Sequence, residues 1–155
     1  DRSGSGAVRI ASVVASSDSG RPGLQSGKPL CITCFLEFRS VPPPLGLSLA
    51  IGIDDSAGNR IALLNSEITG PVPLPVTTRT HCVDVTMDKL QLAQGHYRLT
   101  LFCSSGGEVL DWIKDAATIE VENSDYYGTG KLPQGNQGPL LLNYRFNCTD
   151  RIDLL

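Results

Sequence analysis

Aromatic residues are scarce in this sequence. One Trp, four Tyr and four Phe make up 6% of the chain, so each one that faces water is informative about binding. Histidine is rarer still. His81 and His96 both open strand-like runs, and no H-E-x-x-H or G-x-S-x-G motif occurs, which removes the common signatures of zinc-dependent and serine-dependent hydrolysis. A basic excess is missing too. Thirteen Lys and Arg face sixteen Asp and Glu, a net charge of −3, so a nucleic-acid backbone is not an expected partner, because that binding draws on Lys and Arg. No apolar run approaches the roughly 20 residues that a membrane-crossing helix requires, and direct membrane insertion is not expected.

The five cysteines, Cys31, Cys34, Cys82, Cys103 and Cys148, are an odd number, where an oxidised secreted domain of this size shows an even framework. A reducing compartment fits best. "CITC" has metal or redox spacing but lies in an apolar, β-branched run. On a strand, residues three apart point to opposite faces, so the two sulfurs diverge. No second C-x-x-C or paired His completes a zinc set, and core or surface thiols are the expectation. "NCT", Asn147 to Thr149, is a formal glycosylation acceptor that decides nothing so near the chain end.

Gly and Pro, in contrast, are plentiful at 16 and 10 residues, which favours short elements joined by turns. The hydrophobic period is two throughout. "AVRIASVVAS", residues 7–16, is a first strand. In "KPLCITCFLEFRS", Leu30, Ile32, Cys34, Leu36 and Phe38 share one face and Cys31, Thr33, Phe35, Glu37 and Arg39 the other. "LGLSLAIGID" turns Leu45, Leu47, Leu49, Ile51 and Ile53 inward and leaves a small face of Gly46, Ser48, Ala50 and Gly52. "RIALLNS" reads as its return strand, after a turn beside Asp54 and Asp55, where Asp is common for backbone reasons. Val83, Val85 and Met87 face inward in the next run. Then come Tyr97, Leu99, Leu101 and Cys103, with Arg98, Thr100 and Phe102 outward. "VLDWIKDA" is too short for a helix of its own and leads into "ATIEVE", with Ala117, Ile119 and Val121 inward. "PLLLNYRF", residues 139–146, is a last strand. About eight short strands at this spacing predict an all-β, immunoglobulin-like sandwich of two antiparallel sheets. Residues 1–6 read as a flexible lead-in and 7–155 as a single domain.

Between the last two strands lies a Gly-rich connection, Asn123 to Gly138, and connections this long usually carry function or mobility. Its "YYGTGKL" ends like a phosphate-binding loop. Asp125 stands where the first Gly of such a loop belongs, however, and Leu132 where its Ser or Thr belongs. Pro133 then discourages a helix from starting there. Lys131 is a loop lysine, not a phosphate ligand. A final strand on so long a tether can also pair with the sheet of a second copy, so exchange of this strand between two molecules is open.

The succession "GSGAVRI", "SGKPLCI", "LQLAQGHYRLTL", "LDWIKDAATIEV", "YYGTGKL" and "GPLLLNYRF" resembles the C-terminal domain of Wzt-type ATPase subunits, from ABC transporters that export bacterial O-antigen polysaccharide. The likeness runs from about Gly4 to Phe146, and the D-W-I-x-D-A entry joined to Y-G-T-G is its most specific part. The resemblance implies an Ig-like sandwich without catalysis or cofactor, carried after an ATPase domain. It implies binding of the glycan at the cytoplasmic face of the inner membrane beside the transmembrane subunits. It also implies a homodimer.

Sugar sites need aromatic faces for the C–H edges of the ring and polar groups for its hydroxyls. On that ground Arg98, Thr100 and Phe102 form the candidate platform, with Ser48, Ala50 and Gly52 of a neighbouring strand as a shallow trough and Thr118 and Glu120 as flanks. The alternative is an ordinary solvated sheet face. Trp112 either joins the platform or is buried in the core. Of Tyr126 and Tyr127, one is expected to anchor the loop while the other offers a face or hydroxyl. Two other classes stay in view: an Ig-like dimerisation module without a glycan site, and an extracellular adhesin or pilus-like domain, which the odd cysteine count disfavours.

Overall fold

A computed structural model describes residues 1–17, 23–39, 46–70, 74 and 82–150. Nine strands and one helical turn follow in order: β1 (Arg2–Ser3), β2 (Val8–Ser17), β3 (Leu24–Gln25), β4 (Leu30–Phe38), β5 (Ser48–Asp54), β6 (Arg60–Asn65), α1 (Ser66–Thr69), β7 (Cys82–Met87), β8 (Gly95–Ser105) and β9 (Glu108–Glu122). They form two sheets. The larger runs β1-β9-β8-β5-β6, with β3 joined to the far end of β9, and the smaller runs β2-β4-β7. Every pairing is antiparallel except β3 with β9. The two-sheet, all-β expectation holds.

The alternating faces close on each other as their period dictates. Val8, Ile10, Ile32, Cys34 and Leu36 of the small sheet pack against Leu49, Ile51, Ile53, Leu99, Leu101, Cys103, Ile119 and Val121 of the large one. Each such side chain contributes about 1.5–3 kcal/mol by leaving water. Val83, Val85 and Met87 alternate as expected but stay half-buried, because β7 is an edge strand beside a cavity of about 480 Å³ whose walls include Leu49, Ile51, Leu63 and Leu74. Asp55 closes the β5–β6 turn by accepting from Ala57 N and Asn59 N. Those bonds, led by Asn59, hold its carboxyl below the ordinary range. Leu45 and His81 lie outside the described residues.

Three expectations are corrected. Residues 1–6 are not a loose lead-in. Arg2 and Ser3 pair in register with Ile113 and Trp112, and Ser5 N and Gly6 N donate to Val109 O and Leu110 O. Arg2 then forks onto Asp111, with Nε at 2.9 Å and Nη2 at 2.6 Å. Asp111 is 2% exposed and also accepts Ile10 N at 2.7 Å, so one carboxylate ties β1, β9 and β2 together. Second, "VLDWIKDA" is strand, the first half of the fifteen-residue β9. Third, "PLLLNYRF" is not. It makes one bridge, Leu92 with Leu140, and Leu141 N donates to Gln91 O. Leu141 is buried, while Leu140, Leu142, Tyr144 and Phe146 face water. With β1 already on the β9 edge, the run finds no ladder there. The helical turn α1 is an addition, capped by the Asn65 side chain accepting from Glu67 N.

Candidate functional site

The outer face of the large sheet carries a row of side chains that cross-strand register places side by side. Ser3, Trp112, Phe102, Ala50 and Asn65 follow one another from β1 across β9, β8 and β5 to β6. Trp112 is 39% exposed. It meets Phe102 edge to face, ring centroids 6.0 Å apart, and the Lys114 ammonium lies 5.1 Å from its ring centre. The lone tryptophan therefore joins the platform and is not a core residue. It can do so because regular register pairs Trp112 with outward Phe102 and Asp111 with inward Cys103.

Polar groups border the aromatic pair. Arg98 sits opposite Thr118 and forms an ion pair with Asp115 at 3.9 Å. Asp115 has φ 51°, the one left-handed non-glycine residue among those described. It belongs to the bulge of β9 opposite Thr100, where the register shifts between Leu99 and Leu101. Thr100 donates to Asp54 at 3.2 Å, and Asp54 takes Arg60 Nε at 2.5 Å. Ser48 donates to Glu67 at 2.6 Å. Glu120 stands exposed opposite His96, further along the same face. So Arg98, Thr100, Phe102, Trp112, Ser48 and Glu120 share one surface.

The trough does not form as expected. The Arg60 guanidinium lies over Gly52, so close that a Cβ there would come within 2.5 Å of its Cζ, and Ala50 is buried. The small side chains leave a lane, and a long cation from the next strand fills it.

Tyr126 and Tyr127 lie apart from this surface, under the C-terminal segment. Tyr126 is buried and is the anchor. Its hydroxyl donates to Asn143 Oδ1 at 3.0 Å, and Lys89 Nζ sits 3.9 Å from its ring centre. Tyr127 donates to Leu142 O at 3.0 Å. From Tyr126 a chain of edge contacts runs through Tyr127 and Tyr144 to Phe146, with centroids 4.8, 5.6 and 5.8 Å apart. Tyr144 and Phe146 are 66% and 91% exposed. Sequence reasoning placed these two in a strand and so missed them as surface. Their alternation with Leu140 and Leu142 was the signal available. The glycine loop itself is a turn, in which Asp125 accepts Gly130 N at 2.8 Å, and Lys131 is exposed.

The family model for the Wzt C-terminal domain matches residues 1–132. The chain belongs to the Wzt C-terminal domain family. The crystal structure of the C-terminal domain of Wzt superposes on 96% of this chain and 88% of that one with a TM-score of 0.74, at 18% identity, so the likeness is one of fold. No curated protein matches the sequence.

In this Wzt C-terminal domain the stretch Asp111 to Ala116 gains a physical reading. Asp111 is the buried acceptor, Trp112 the outward ring, Ile113 an inward contact, and Asp115 the left-handed bulge residue paired with Arg98. No helix among the described residues is long and apolar enough to cross a membrane. Cys34 is buried and Cys31 half-buried on the opposite face, so the C-x-x-C sulfurs diverge as their strand setting requires; all five cysteines are free. Chemically, the sheet surface offers an aromatic pair, a guanidinium, carboxylates and hydroxyls on one rigid plane.

Proposed function

We propose that this domain binds an O-antigen polysaccharide on the outer face of its large sheet, without altering it, and thereby selects the glycan that an ABC transporter exports. The observation that carries the reading is the half-exposed Phe102–Trp112 pair at the centre of a polar sheet face. Two rings that escape the core offer their faces to the C–H edges of a sugar, and Arg98, Glu67 and Asp115 lie within the same surface for its hydroxyls. Family membership supports the transporter setting: an ATPase domain ahead of this one, transmembrane subunits beside it, and a place at the cytoplasmic face. Binding is spread over many weak contacts, so Trp112→Ala and Phe102→Ala each lower affinity by about 1–2 kcal/mol. Calorimetric titration with the purified glycan tests this. Unchanged affinity in both variants removes the platform.

A second reading, association of two copies, is favoured by the exposed row Leu140, Leu142, Tyr144 and Phe146. An extended segment with every second side chain apolar and no ladder of its own is suited to a partner's sheet. Replacing Leu142, Tyr144 and Phe146 with Ser gives a monomer in sedimentation if this segment makes the homodimer. A dimer that persists discards the exchange. The two readings are compatible, and intact glycan binding by that monomer would separate them.

A further inference from the structure

The geometry points to an oxyanion-binding site at the margin of the sandwich, one that takes a phosphate monoester or a carboxylate. A cavity of about 200 Å³ lies between the first strand and the start of β2, walled by Arg2, Gly4, Arg9, Arg39, Leu110 and Asp111. Its charges do not cancel. Arg2 is spent on Asp111, whose oxygens are saturated by that guanidinium and by Ile10 N, so the pair adds no net charge. Arg9, half-buried, and Arg39, exposed, make no ion pair and no side-chain hydrogen bond among the described residues. The nearest carboxylate by register is Glu37, directly across from Arg9 on β4, and it comes within 4.0 Å of neither guanidinium nitrogen.

Two uncompensated guanidiniums beside one recess are unusual in a chain whose net charge is −3. The planar fork of Arg matches a phosphate or carboxylate with paired, charge-assisted hydrogen bonds. A neutral hydroxyl would leave both cations unanswered. Phe102, Trp112, Arg98 and Thr100 do not line the cavity, so this site stands or falls independently of the aromatic platform. The anion is either free in solution or carried on a sugar, and the same two arginines would read it in both cases.

The test titrates the 155-residue chain, at fixed ionic strength, with inorganic phosphate, a hexose 1-phosphate, glucuronate and a neutral oligosaccharide, following backbone and Arg Nε–Hε resonances by NMR. Saturable shifts confined to residues 4–9 and 39 are expected with the anions and not with the neutral sugar. Arg9→Gln with Arg39→Gln should weaken binding by about ten-fold or more, the scale of hydrogen bonds to charged groups. Arg9→Lys with Arg39→Lys should retain part of it, since charge is kept while the fork is lost. Both pairs leave the Arg2–Asp111 clamp intact, so an unchanged melting temperature certifies the fold. Equal affinity for phosphate and hexose phosphate assigns a free anion, and tighter binding of the hexose phosphate assigns a charged sugar. An absent or non-saturating response overturns the site, as does a response that the double Gln variant shares.

Discussion

Asp111 shows how much one carboxylate can hold. Replacing it with Ala strands the Arg2 guanidinium and the Ile10 amide together. Arg2 is 36% exposed and stays partly hydrated, so the cost is about 1–3 kcal/mol, chiefly that of the unpartnered buried amide, and below that of breaking a fully buried pair. Asp111→Asn keeps an acceptor for Ile10 N and should cost less; urea denaturation of the two variants measures the difference. Gly4 is a second such point. It has φ +118°, and a Cβ would meet Leu110 O at 2.6 Å, a backbone atom that cannot step aside. Gly6, at φ +79°, has open space around its missing Cβ. Gly6→Ala should therefore cost only the left-handed penalty of about 1–2 kcal/mol, whereas Gly4→Ala should also detach β1, seen as lost amide protection at Arg2 and Ser3. The core thiols make a third prediction. Burial, then Asp84, pushes Cys34 up to about 11, and burial, then Asp111 and Cys34, pushes Cys103 up to about 12, each from 9.0. The folded state keeps protons that the unfolded chain releases near pH 9. The stability they give is complete below that pH and falls as pH rises towards 11–12, by on the order of 1 kcal/mol per unit per thiol. Melting curves from pH 8 to 11 should show the loss, and Cys34→Ala with Cys103→Ala should flatten it. At pH 8, iodoacetamide should modify exposed Cys82 and Cys148 and spare the buried pair.

At the scale of elements, β9 does three jobs along fifteen residues. Its first half turns a carboxylate inward and an indole outward, its bulge absorbs the extra residues opposite Thr100, and its last half restores the alternation through Ile119 and Val121. The C-terminal segment divides differently. Leu141 is a core residue attached to an otherwise exposed run. Leu141→Ala should cost about 2–5 kcal/mol in a melt, while Leu142→Ala, on the neighbouring position, should change the stability of the monomer by less than about 0.5 kcal/mol. Equal effects would mean that the segment docks in some other register.

For the whole molecule, periodicity alone was enough to read most of the sandwich, since β4, β7 and β8 alternate between inside and outside and β2 does so on either side of one bulge. β5, with small residues between its large ones, is buried on both faces. Periodicity was also enough to bring Arg98, Thr100 and Phe102 onto one surface beside Ser48. Legibility stopped where a long-range partner overrides local pattern. Nothing near Arg2 in sequence announces a carboxylate 109 residues away, so the first residues read as slack. The Asp115 bulge hides the continuity of β9, and although the β5–β6 hairpin could be read, nothing in its alternation shows that the long Arg60 side chain folds back over Gly52. The last run has the alternation of a strand but makes a single bridge, to Leu92, among the described residues, and whether an alternating run finds a ladder depends on which edges are open and not on its own pattern. The pairing of Ser3 with Trp112 has a practical consequence. The chain owns a single indole, and that fluorophore sits on the seam where the first strand is stitched to the sheet. Its emission is then a one-residue gauge: peeling the opening residues away should redden it, and a sugar laid across the ring should shift it the other way.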